Sequence, residues 1–358
     1  MPATASHALP VLVTSTRCGV IETRFRGSAA LVDASGAVVW GCGDLDAPTY
    51  PRSAIKFIQV LPVIMSGVVA AYGLTDEEVA VMCASHSGEP AHLEAVASIL
   101  RKSGVPEGAL RCGALAPLGA PAFEALCRGN GAVTALHNNC SGKHAGFLAA
   151  CKLRGWDLDS YLRPEHPLQA AIRAELAHFA GMPEGALHPG VDGCSAPNYA
   201  MPVAALARVF KNVALPQAAP AREAARRAML RAVTAAPWFV GGSGRYCSEL
   251  NAACPPCVGK LGAEGVYGCA LLERGWGFAC KVECGALGPQ YNVAQAVLEG
   301  AGAMPPGAGA ALEAFARTPV KTVAGEVVGC REAAPFVREG VARAVASREW
   351  ATLPQRGV

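Results

Sequence analysis

Two β-rich stretches lie toward opposite ends of the chain, at residues 18–41 and 265–285, and everything between them reads mainly as helix. In the first, Leu31 to Trp40 splits into two runs of strand-forming residues joined by a turn at Gly36. The second has a turn signal at Glu273-Arg274-Gly275. Helical signals fill the middle. Thr75-Asp76-Glu77-Glu78 has the form of a capping box. Leu93, Val96, Ala97 and Leu100 fall on one helix face that Gly104 closes. Further helices are predicted over 145–153, 167–180, 202–211, 221–235, 292–303 and 308–316. No internal repeat and no proline-rich linker divides the chain. The pattern predicts one α/β domain spanning residues 1–358, with an antiparallel sheet built from both termini, helices packed on it, and a helical lobe inserted at roughly 100–240.

Composition narrows the function classes. Apolar residues make up 52% of the chain and charged residues 16%, as in a globular protein rather than a disordered one. The formal net charge is +3, with no basic cluster and no aromatics interleaved with Lys or Arg, so nothing favours nucleic-acid binding. No apolar run has membrane-spanning length. The apolar patch Ala8–Val13 lacks the basic residues that precede a secretory signal, so a cytoplasmic protein is expected. The 15 cysteines are an odd number and scattered, which suits reduced thiols packed in a core. Cys254-Pro255-Pro256-Cys257 has a metal or redox spacing but no second half, and reads as ordinary thiols.

The chemistry centres on Ser53-Ala54-Ile55-Lys56, the one Ser-x-x-Lys in the chain. On a helix, residues three apart share a face, which brings a hydroxyl toward an amine. Serine needs a base to become a nucleophile, and lysine is a base only when burial or a neighbouring cation makes it neutral. The apolar run from Phe57 to Val69 offers that burial. The plain alternative is a helix-capping serine with a solvated lysine. Four further polar clusters sit at element boundaries: Ser85 to Glu89, Asn138 to His144, Asp192 to Asn198, and Lys260 to Gly265. Loops of this kind converge to form pockets. Gly241-Gly242-Ser243-Gly244-Arg245 lacks phosphate-loop spacing and reads as a turn or lid. His92, His166 and His178 read as surface or helix residues.

Taken together and in order, Arg52-Ser53-Ala54-Ile55-Lys56, Cys83 to Pro90, Asn139 to His144, Asp192-Gly193-Cys194 and Lys260 to Gly265 resemble the bacterial L-asparaginase II family, the thermolabile, rhizobial-type asparaginases. The resemblance runs from about Arg17 to Val345. It implies a fold similar to penicillin-binding proteins, serine β-lactamases and glutaminases, with Lys260-Leu261-Gly262 where β-lactamases carry Lys-Thr-Gly. Leu261 departs from that pattern, and Phe57 stands where a small residue or proline is expected. The resemblance implies hydrolysis of L-asparagine to L-aspartate and ammonia through a serine acyl-enzyme. Two Ser–Lys pairs are expected, Ser53 with Lys56 and Ser85 with Lys260, with Ser53 as nucleophile and Lys56 as base. Arg52, Asn138, Asp192 and His144 are expected at the substrate. Cys140, Lys143 and Cys194 are expected to hold one zinc ion per chain, and the chain is expected to form a homodimer. Two other readings are another Ser–Lys amidohydrolase, such as a glutaminase or a penicillin-binding-type peptidase, and a non-enzymatic zinc or thiol sensor.

Overall fold

A computed structural model describes residues 8–347. Its strands are β1 (Val11–Arg17), β2 (Val20–Val32), β3 (Val38–Cys42), β4 (Pro48–Thr49), β5 (His188–Val191), β6 (Pro197–Pro202), β7 (Cys257–Gly262), β8 (Val266–Leu271), β9 (Trp276–Val282), β10 (Arg317–Lys321) and β11 (Val327–Ala333). An eight-stranded sheet runs in the order β10-β11-β1-β2-β9-β8-β7, with β3 also paired to β2, and β4, β6 and β5 form a separate small sheet. Every pairing is antiparallel. The N-terminal strands meet the C-terminal ones where β2 pairs β9, with Ala30 opposite Ala279. The sheet is therefore built from both ends of the chain, as the sequence pattern predicts.

The β1–β2 hairpin is closed by Cys18 and Gly19, both at positive φ (47° and 81°), the backbone that a two-residue turn between right-twisted strands requires. β8 and β9 are buried almost throughout, because helices cover both faces. The helix Val203–Ala214 lies across β2, β8 and β9. It approaches so closely that a Cβ at Gly277 would meet its backbone at Ala207 O, 2.1 Å away. The helix Pro289–Gly300 covers the other face, where the Cys280 thiol points at Gln290 O.

Several helices fall where the sequence places them. Thr75 and Glu78 form the reciprocal capping box of the helix Asp76–Met82. The helix Pro90–Ser103 ends at Gly104 in the left-handed region, and Pro167–Ala180 and Ala308–Ala316 keep their predicted bounds. The helix expected over 145–153 begins earlier, at Ser141, so the polar cluster Ser141-Gly142-Lys143-His144 is its first turn. Phe57 packs edge-on against Phe210, with ring centroids 6.4 Å apart. No helix among the described residues is long and apolar enough to cross a membrane.

Candidate active site

Ser53 lies in a 3-10 turn, Arg52–Ile55, that leads into the short helix Lys56–Gln59. Arg52 has φ +51°, a left-handed backbone that costs a non-glycine residue about 1 kcal/mol or more. Side chains hold it there. Arg52 Nε donates to Asp192 Oδ1 at 2.7 Å, and Asn198 Nδ2 donates to both Arg52 O and Asp192 Oδ2 at 3.3 Å. Strand β7 presses against the same turn. A Cβ at Gly262 would lie 2.2 Å from Pro51 O, so only glycine lets the strand come this close.

Lys56 is fully buried, and a buried ammonium takes whatever acceptors lie in reach. Its Nζ donates to Ala84 O, to Ser85 Oγ at 3.2 Å and to Asn139 O at 3.5 Å, and lies 3.1 Å from Cys140 Sγ. Ser53 is not among these partners. Its Oγ has no side-chain hydrogen bond among the described residues, although the residue is only 8% exposed. The helix-face argument brings Ser53 and Lys56 to neighbouring positions, but the amine extends onto the second serine loop.

Ser85 is thus the hydroxyl shared by both lysines. Lys260, on β7 and fully buried, places its Nζ 2.8 Å from Ser85 Oγ and 3.0 Å from Leu261 O. Burial is the main reason that Lys260 is pushed down to about 7; the charges of Lys56 and Arg245 act in the same direction, and Cys247 opposes them. Once neutral, Lys260 has a lone pair for the Ser85 proton, while Lys56 donates to the same oxygen. Behind Ser85, Gly88 N–H donates to His86 Nδ1 at 3.1 Å. The His86 proton therefore sits on Nε2, which donates to Ser141 Oγ at 2.9 Å, and Ser141 donates to Leu136 O at 2.8 Å. Burial holds His86 well below its usual range, so this chain is a neutral prop for the loop.

The third cluster joins Cys140, Lys143 and Cys194. Lys143 Nζ lies 3.2 Å from Cys194 Sγ. The Cys140 thiol donates to Cys194 and, with Lys143, pulls Cys194 down to about 5 against the effect of burial. The same contact, together with burial, pushes Cys140 up to about 12. Burial alone would lower Lys143, but Cys194, Cys140 and Asp192 outweigh it and raise it. The resting cluster is therefore an ammonium, a thiolate and a thiol. Among the described residues, no three His, Cys, Asp or Glu side chains come together as a metal-ligand group. The third donor here is an amine.

Two residues expected at the substrate are engaged elsewhere. Asn138 gives both amide hydrogens to Cys112 O (2.8 Å) and Gly113 O (3.0 Å), and its Oδ1 accepts from Cys140 N at 2.8 Å. It fixes the cysteine loop and has no free donor for a ligand. His144 Nδ1 accepts from Tyr161 Oη at 2.7 Å, because that hydroxyl already accepts from Arg111 N. Its Nε2 is buried without a partner. The Cys254–Cys257 turn points both thiols at Ala303 O, at 3.6 and 3.8 Å. Asn198 and Arg245 are functional candidates that the sequence reading did not single out. Asn198 is 1% exposed, and its Oδ1 has no partner. In the sequence it is marked only as the last residue of the polar cluster Asp192 to Asn198.

The model of the L-asparaginase II family matches residues 13–333, which take in all of these clusters. The chain belongs to the L-asparaginase II family. Within this family member, the matched span begins in β1 and ends in β11, so it takes in strands from both termini as well as Lys56, Lys143 and Lys260. No curated protein matches the chain. Among solved structures, a β-lactamase from Mycobacterium bovis superposes with a TM-score of 0.36 at 14% identity, over 74% of this chain and 89% of that one.

Proposed function

We propose that this asparaginase II family member hydrolyses L-asparagine to L-aspartate and ammonia. The observation that carries the reading is the Ser85 hydroxyl held between two buried lysines: Lys260, near neutrality, and Lys56, which lies one turn of chain after the more exposed Ser53. Ser53 attacks the side-chain amide carbon. Lys56 passes a proton through Ser85 to Lys260, which frees the Lys56 lone pair for the Ser53 proton without adding charge to the site. The proton leaves with ammonia, and water then releases aspartate from the β-aspartyl ester. Asp192, held by Arg52 and Asn198, presents the remaining acceptor sites of its carboxylate to the substrate α-ammonium. A second reading rests on the double lysine contact itself: Ser85 attacks, with Lys260 as base. Access favours Ser53, which is 8% exposed against 1% for Ser85. Purified wild-type protein is expected to release ammonia from L-asparagine much faster than from L-glutamine and to leave a β-lactam intact. Turnover of glutamine or the β-lactam in preference to asparagine would replace this substrate with the corresponding one.

Zinc and a homodimer belong to the same reading. The donor set of two sulfurs and one nitrogen fits zinc. Cys140, Lys143 and Cys194 would hold the ion, with Cys140 and Lys143 giving up protons to do so. When bound, zinc would supply a Lewis-acidic position open to a water or a substrate oxygen, with no change in net charge once Cys140 and Lys143 have given up their protons. Zinc affinity is therefore expected to rise with pH, and Cys194→Ser to reduce bound zinc from about one ion per chain to nearly none. Elemental analysis after dialysis checks this. An unchanged zinc content in the variant would remove Cys194 from the ligand set.

A further inference from the structure

Arg52 is matched by Asp192, so its charge is already spent on the protein. A second guanidinium stands next to the serine–lysine centre without such a match. Arg245 is half-buried, and its one side-chain partner among the described residues is the Ser87 hydroxyl, which accepts from Nη1 at 3.3 Å. Ser87 is two residues from Ser85, and its own proton goes to Gly241 O at 2.9 Å. No carboxylate among the described residues forms an ion pair with Arg245. A partly desolvated guanidinium is costly without an anion, and its planar fork suits a carboxylate.

The segment that carries Arg245 is firmly held. Glu89 accepts from Ser243 N at 2.9 Å and from Ser243 Oγ at 2.8 Å, and Gly242 N donates to Ser248 Oγ at 3.0 Å. Ser85 N in turn donates to Val240 O at 3.1 Å, so the glycine-rich turn and the serine loop are fastened together. Arg245 then enters the helix Tyr246–Ala253, whose Cys247 Sγ accepts from Leu261 N beside Lys260. The backbone that carries Arg245 is thus placed before any ligand arrives, which leaves only the side chain to be ordered on binding.

We propose that Arg245 binds the α-carboxylate of the substrate and selects amino-acid amides that carry a free carboxylate. This rests on the amidase reading above. The carboxylate so held leaves the side-chain amide to the serine–lysine centre, two residues along the loop from the Ser87 hydroxyl that Arg245 touches. The lowering influence of Arg245 on Lys260 is consistent with this proximity.

The test compares L-asparagine with asparagine α-amide, which is neutral at that end, in wild type and Arg245→Met. For asparagine, kcat/KM is expected to fall roughly 10- to 100-fold, mainly through KM, with less than about a threefold change for the α-amide. Arg245→Lys should recover part of the loss. Equal losses on both substrates would mean that Arg245 only props Ser87, and would overturn the proposal. Calorimetric titration with L-aspartate needs no turnover. Wild type is expected to bind it at least about 10-fold more tightly than Arg245→Met, and equal affinities, or no binding to either protein, would also overturn the proposal. A wild type that turns over no asparagine counts against the amidase reading, and the titration then decides Arg245 alone.

Discussion

Lys260→Met is expected to release ammonia from asparagine roughly 10²- to 10⁴-fold more slowly than wild type, the range for losing a general base. The isosteric chain fills the same space on β7, so the lost function is the lone pair that faces Ser85. In wild type, kcat/KM should climb with pH and level off above about 7, as Lys260 gives up its proton. That limb should disappear in the variant. Stability offers an independent check. Lys260 titrates lower in the folded chain than in the unfolded one, so between about 7 and the ordinary lysine range the unfolded state binds more protons. The penalty for charging Lys260 is therefore fully present below about 7, and it is relieved as pH rises above that. Thermal melts should show wild type gaining stability from pH 7 to pH 9 (on the order of one group's linkage) and the methionine variant gaining less. Equal gains would place the Lys260 proton elsewhere.

Ser53→Ala is expected to lose about 10⁴-fold or more in kcat, because without its nucleophile the site retains only binding and charge. Ser85→Ala should lose less on the main reading, since the nucleophile and both lysines remain while the proton route from Lys56 to Lys260 is cut. Neither change leaves a buried charge without carbonyl acceptors. Lys56 keeps Ala84 O, and Lys260 keeps Leu261 O. Melting temperatures near wild type would accordingly separate lost chemistry from lost folding. Ser85→Ala with the deeper loss would favour the second reading, in which Ser85 attacks.

The sequence displays the polar clusters, their order and most helices, because capping residues, glycine stops and apolar periodicity are local signals. The capping box at Thr75 and the helix from Pro167 to Ala180 needed nothing from the rest of the chain. Other features depend on distant partners. β10 reads Arg317-Thr318-Pro319-Val320-Lys321, where charges and a proline at a sheet edge hide its pairing with β11. β1 looks like a short apolar patch until β2 and β11 are placed beside it. The spacing of Ser53 and Lys56 suggests a pair, yet a buried amine follows its acceptors, and those lie on the loops 84–85 and 139–140. Asn138 looks like a ligand residue in a polar cluster, but only the fold shows that its amide is consumed by Cys112, Gly113 and Cys140. Arg245 was hidden for the converse reason. Its glycine-rich surroundings suggest flexibility, whereas Glu89 and Ser248 pin them down.

The most direct test of a serine acyl-enzyme at this site is mass spectrometry of the protein quenched during asparagine turnover, followed by peptide mapping. The account predicts one added β-aspartyl group on the peptide that contains Ser53, present in wild type, enriched in Ser85→Ala if deacylation slows, and absent from Ser53→Ala. An adduct on Ser85, or full-rate ammonia release by Ser53→Ala with no adduct anywhere, would contradict it.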